Sequence, residues 1–291
     1  MYRNGVWVMT KPHDKCEPNL KDFDSRKMSR ELKKRGVKRP FDSAAQLVDE
    51  YFIEKNIVET CSIYDKLPTK TQLAARINNK RKKTRPMDPK DLNFELNQRF
   101  LNKDPNIPEE FFCSDIKVGC KHRHILFISK KQLKLLKKAH TWYVDGTFKI
   151  IKEPFKQLFS IHVFVKEGNC MKQVSVAYVF MSRRSKKDYK KVFKAILDLV
   201  PDCRLRTMVA DFEAASWNAM RELIPNIEVK GCLFHFTQAV YRKIGNIGLK
   251  HAYANDPGTR KLCRQLMALP ILPKEHIVRA FYKLTVCCGS L

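Results

Sequence analysis

The amino-acid sequence predicts an α/β fold: a mixed five-stranded sheet with flanking helices, preceded by a small helical region. Three observations lead there. Between residues 141 and 247, three apolar, β-rich runs are followed by helix-type and strand-type segments in alternation. Ahead of them, residues 31–85 carry apolar residues at helical spacing. Hydrophobic residues make up 44% of the 291-residue chain, enough for one large domain or two modest ones with cores of their own.

The elements follow in chain order. Residues 1–30 are short, polar and strand-like at the start (GVWVM). In SAAQLVDEYFIEKNI, Ala45, Leu47, Val48, Tyr51 and Phe52 repeat close to a 3.6-residue period, and Ser43 is a suitable N-cap. A second helix covers TKTQLAARINNKRKK, beginning near Thr69 or Thr71 and ending before Pro86, whose predecessor avoids helical geometry. Residues 86–124 read as an irregular linker broken by Pro86, Pro89, Pro105 and Pro108. ILFIS is a short strand and KKQLKLLKKAH a short helix with a leucine face. The runs TWYVDGTFKI, QLFSIHVFV and VSVAYVFM are strands joined by connections short enough for hairpins. The helix SKKDYKKVFKAILDLV stops at Pro201. The strand RTMVADF, helix EAASWNAMRELI, strand IEVKGC and helix LFHFTQAVYRKIGNI complete the pattern. Three antiparallel strands followed by parallel βα units are the element order of an RNase H-like fold.

Two carboxylates stand out in that topology. Asp145 interrupts a strand of aromatic and β-branched residues, where a charge is costly unless it is paired or binds metal. Asp211 ends the strand MVAD, and ligand sites gather at such strand ends. If the first and fourth strands are neighbours, the two side chains converge. Hard oxygen ligands suit Mg²⁺ or Mn²⁺, and a pair of such ions can activate an attacking oxygen and stabilise a leaving one. The alternative is a turn residue before Gly146 and a helix N-cap. Glu213 lies two residues beyond Asp211, either supporting the pair or simply favouring a helix N-terminus.

Charge points to the partner. The chain has 57 Lys+Arg against 30 Asp+Glu, a net charge of +27, which suits a polyanion. No apolar run approaches the ~20 residues a membrane span needs, and the N-terminus lacks the apolar core of a signal peptide. Arg76, Lys80, Arg81, Lys82, Lys83 and Arg85 form a basic run that could lie on a phosphate backbone, serve as a nuclear localisation signal, or be a solvated face. The 10 cysteines are scattered, as reduced thiols would be. Cys232 and His235 form C-x-x-H, two ligands where structural zinc wants four. Cys113, Cys120, His122 and His124 read as a basic surface leading into a strand.

The blocks TWYVDGTFK, QLFSIHVFV, VADFEAASWNAMRELIP and VKGCLFHFTQAVYRKI resemble the transposase domain of Mutator-like elements (MULE), especially animal versions with an upstream FLYWCH zinc finger. The likeness extends over about residues 105–285. It implies a DDE-type recombinase, with Asp145 and Asp211 as its first two catalytic aspartates holding Mg²⁺ or Mn²⁺. Cys232 and His235 match the family's C-x-x-H signature and, with Glu213, are expected around the pair. The family's third acid, a glutamate beyond a helical insertion, has no matching block here, so the expectation is either a transposase or a truncated, inactive fragment of one; the pattern does not point to a substitute such as Glu222 or Glu228. His13 and Cys16 resemble the close of the finger, but no zinc is expected to bind. The implied organisation is a finger remnant at 1–30, a basic helical region and linker at 31–124, the transposase domain at 125–250, and the truncated start of the insertion at 251–291. The expected partner is DNA, in the nucleus and without a membrane, with a homo-oligomer left open. A non-catalytic DNA-binding descendant of such an element is the alternative.

Overall fold

The structure, a computed structural model, describes residues 2–3, 6–7, 20–57, 68–101, 104, 107–108 and 111–288. His13 and Cys16 lie outside them. The chain divides into two compact units, Met1–Asp88 with Asn97–Asn106, and Pro89–Leu96 with Ile107–Leu291.

The first unit is helical. A two-residue pair, β1 (Tyr2–Arg3) and β2 (Val6–Trp7), precedes α1 (Leu20–Lys38), α2 (Ala44–Glu54), α3 (Lys70–Lys82) and the short α4 (Gln98–Leu101). Helix thus begins ahead of residue 31. Four of the five periodic residues of α2 form the core as expected: Leu47, Val48, Tyr51 and Phe52 pack with Met28 and Leu32 of α1 and Leu73 and Ile77 of α3, while Ala45 is exposed and Ala44 is buried in its place. The caps are those read from sequence. Ser43 accepts from the Gln46 amide, and Thr69 and Gln72 close a reciprocal capping box on α3.

The second unit is a mixed α/β structure around a seven-stranded sheet rather than five strands. Its elements are β3 (Phe112–Val118), β4 (His122–Phe127), α5 (Lys130–Lys138), β5 (Thr141–Thr147), β6 (Gln157–Glu167) and β7 (Cys170–Met181). Then come α6 (Lys186–Leu199), β8 (Thr207–Ala210), α7 (Ala214–Leu223), β9 (Glu228–Gly231), α8 (Leu233–Asn246), α9 (Lys250–Asn255), α10 (Pro257–Ala268) and α11 (Lys274–Cys288). The order across the sheet is β3-β4-β7-β6-β5-β8-β9. The β5–β6 and β6–β7 pairs are antiparallel, and β5–β8 and β8–β9 are parallel. The five expected strands are all present. Beside those five, β3 and β4 form an antiparallel hairpin; β4, which takes in the start of the expected short strand ILFIS, pairs with β7.

That hairpin replaces part of the expected linker, and its sequence explains why it forms. Ile116 and Val118 alternate with Asp115 and Lys117, so one face is buried while the other stays polar. Arg123 is buried rather than solvated: its guanidinium binds both Asp115 oxygens at 2.9 and 2.7 Å and donates to the carbonyls of Leu92 and Phe94. It lies 4.4 Å from the Phe94 ring centre, which ties residues 89–96 to this unit. One sheet face holds the core, where Trp142 and Val144 of β5 and Ile161 and Val163 of β6 meet Tyr189, Val192, Phe193 and Ile196 of α6.

Candidate active site

The site begins with a register. Parallel pairing sets Thr141 against Thr207, Trp142 against Met208 and Tyr143 against Val209. The same register, carried two residues further, brings Asp145 level with Asp211, the residue that follows β8 directly. The paired rungs themselves end at Tyr143–Val209, and β8 ends one residue later. Strand alternation turns Asp145 away from the face of Trp142 and Val144, which are both buried in the core. Its side chain is 43% exposed.

Several contacts hold the neighbourhood. His235, in the first turn of α8, brings Nε2 to 3.5 Å from Asp145 Oδ1. Its Nδ1 is buried without a hydrogen-bond partner among the described residues, where the side chain's polar contact is with Asp145. Cys232 is the N-cap of α8, and its amide donates to the Ala210 carbonyl at 2.7 Å, tying the start of α8 to the end of β8. Trp217 Nε1 donates to the Asp211 carbonyl at 2.7 Å. The Phe212 ring lies over Gly231, where a Cβ would approach it to 2.9 Å, so the chain after β8 packs down on β9 only because that residue is glycine.

Glu213 is the N-cap of α7, but its side chain does not cap the helix. It accepts from the Tyr189 hydroxyl at 2.7 Å, and its other oxygen lies 3.9 Å from Arg184. Gln157 Nε2 donates to the same hydroxyl at 2.8 Å. Burial pushes the Tyr189 phenol well above its usual range, with Glu213 and Asp211 adding to the shift. The hydroxyl is therefore a donor to Glu213 across the ordinary pH range. His162 lies on a line of small hydroxyls, 2.9 Å from both Ser160 and Ser175 Oγ, and Ser160 reaches the Asp145 carbonyl at 3.4 Å. Burial holds its imidazole below the ordinary value, against the pull of Asp145.

The sequence-derived residues divide clearly. Asp145, Asp211, Glu213, Cys232 and His235 all fall at the ends of β5 and β8 and the starts of α7 and α8. Glu222 and Glu228 do not join them. Glu222 is bound by Lys186 and Lys190, and Glu228 by Thr207 and Lys230. Among the described residues, no group of three or more His, Cys, Asp or Glu is placed to hold a metal ion. Cys120 is exposed, His122 meets Arg183 at 3.0 Å, and His124 is fully buried against Asp188 at 3.1 Å. The run KHRH is therefore only partly surface. Tyr189, Gln157, Ser160 and His162 were missed. Tyr189 counted only as an apolar member of its helix, and the other three looked like ordinary strand positions.

In the helical unit, Arg76, Lys80, Lys82, Lys83 and Arg85 are exposed, with Arg85 paired to Asp88 at 3.0 Å. Arg81 behaves differently. Its guanidinium donates to the carbonyls of Gly36 at 2.9 Å and Arg39 at 2.6 Å, and burial lowers its pKa.

Among the described residues, no helix is long and apolar enough to cross a membrane. No curated protein matches the chain. Residues 141–239, which contain Asp145, Asp211 and His235, match the family model of the MULE transposase domain, a likeness to a transposase family.

Proposed function

We propose that the sheet unit is the catalytic core of a DDE-type Mutator-like DNA transposase, with an RNase H-like fold acting on phosphodiesters. The observation that carries this reading is the parallel β5–β8 pairing, whose register brings Asp145 level with Asp211 at the ends of adjacent strands. Both are hard oxygen donors. Mg²⁺ is commonly held by one or two carboxylates, with waters and substrate phosphates completing its shell, so this pair fits Mg²⁺ or Mn²⁺. Bound there, such ions would activate the attacking oxygen and stabilise the leaving one.

The chain's own groups do the rest. His235 holds the Asp145 carboxylate from one side. Tyr189 and Gln157 fix Glu213, which sets the start of α7 directly behind Asp211. The exposed cations of α3 contact DNA, and the protein works in the nucleus, singly or as a homo-oligomer. The upstream residues descend from a FLYWCH-type finger of the animal families. A nicking assay on supercoiled DNA with Mg²⁺ or Mn²⁺ tests the assignment. Asp145→Ala and Asp211→Ala should each reduce nicking to background. Equal nicking by the variants and the parent chain removes the assignment. DNA binding without nicking by any of them gives the second reading, a non-catalytic DNA-binding protein.

A further inference from the structure

The helical unit segregates its charges. The acids of α2 are occupied: Glu54 binds Arg35 through bonds of 2.9 and 2.7 Å, Glu50 binds Arg39, and Asp49 meets Lys70 at 3.0 Å. Six cations of the groove between α1 and α3 have no such compensation among the described residues. Arg30, Lys34 and Lys38 line it at four-residue intervals from α1, and Arg76, Lys80 and Lys83 line it from α3. All six are exposed, and none makes a salt bridge among the described residues. Glu31, which also lines the groove, accepts from the Tyr51 hydroxyl at 3.2 Å and lies 3.7 Å from Arg35. Ser29 lines the groove too; it is 6% exposed, and its hydroxyl has no partner among the described residues.

Rows of like charge at i, i+4 destabilise a helix, so two such rows facing one groove make physical sense if an anion neutralises them. The walls are fixed in advance. Arg81 ties α3 to the carbonyls of Gly36 and Arg39 at the C-terminal end of α1. Gly36 lets the helices close up, since a Cβ there would lie 2.4 Å from Ile77 Cγ2. Among the described residues no aromatic ring lines the groove, so they offer no platform for stacked bases, and Val37 is the only large apolar side chain among them. This is chemistry for a regular phosphate backbone rather than for unpaired bases or a lipid surface.

We propose that the α1–α3 groove is a sequence-independent binding site for the backbone of duplex DNA, separate from the carboxylate pair. It rests on the contact of α3 with DNA proposed above, adds α1 as the second wall and the duplex backbone as the ligand, and is independent of the strand chemistry. The test is fluorescence anisotropy of the full chain with a duplex of roughly 20 base pairs, in EDTA, across a salt series. The variant Arg30→Gln/Lys34→Gln/Lys80→Gln/Lys83→Gln removes four exposed charges and should melt like the parent. Each lost phosphate contact should reduce the slope of log K against log salt by about 0.9, and affinity at moderate salt should fall at least roughly tenfold. An unchanged slope and affinity overturns the proposal. So does the same loss appearing instead in Lys187→Gln/Lys191→Gln on α6. Tighter binding to single-stranded DNA, duplex RNA or anionic vesicles than to duplex DNA also overturns it. Because metal is absent throughout, failure here and failure of the nicking assay are separate results.

Discussion

Lys80 and Arg81 are neighbours in the chain, yet one faces the groove and the other fastens its walls. Arg81 can bridge two carbonyls because its guanidinium is a rigid fork; a lysine would reach them singly. The fit depends equally on Gly36. Gly36→Ala forces a methyl group into Ile77 and should cost the helical unit about 1–3 kcal/mol, read as a lower midpoint in urea unfolding. An unchanged midpoint would show that the helices can separate freely. At this scale the sequence was only partly legible. Asp145 and Asp211 stood out because a carboxylate in an apolar strand and one at a strand end are locally odd. Arg81 did not, because its burial is decided by the end of α1, more than forty residues away in the chain. His124 escaped for the same reason, since its partner Asp188 lies on a different element.

At the scale of elements, periodicity and caps carried most of the reading. The helices α2, α3, α5, α6, α7 and α8 lie where spacing and breakers set them, because each has one apolar face and a defined start. Thr69 illustrates how local that information is: its hydroxyl accepts from the Gln72 amide at 3.2 Å, and Gln72 returns a bond to the Thr69 amide at 3.1 Å. Thr69→Ala should therefore destabilise the helical unit by about 0.5–2 kcal/mol, measured by thermal melting, with Thr69→Ser restoring most of the loss. Strand β3 was lost for the opposite reason. Its alternation is short, it lies beside prolines, and its pairing is settled by Arg123 reaching Asp115 across the hairpin. The strand count therefore rose from five to seven, while the relation of β5 to β8, on which the candidate site depends, was as the element order implied.

For the whole molecule, acid should act through its buried imidazoles. Burial holds both His124 and His162 below the ordinary value of 6.5, although Asp188 and Asp145 pull the other way. Asp188, against the effect of its own burial, is lowered by Ser185 and His124 and stays ionised. Below pH 6.5 the unfolded chain binds more protons than the folded one, so stability falls as pH falls through that window. The melting midpoint of the sheet unit should drop between about pH 7.5 and pH 5.5, and a midpoint that rises on acidification would contradict the burial of both rings. The site's dependence on β5 and β8 has a further consequence. The strands that carry the two acids run side by side only because stretches of chain from opposite ends of a sheet-and-helix excursion have come to rest alongside each other. Nothing in either stretch holds that arrangement alone. Loosen β8 and the two strand ends part, so under the proposed function a half-melted molecule would be a chemically silent one, with no residual centre left to act indiscriminately.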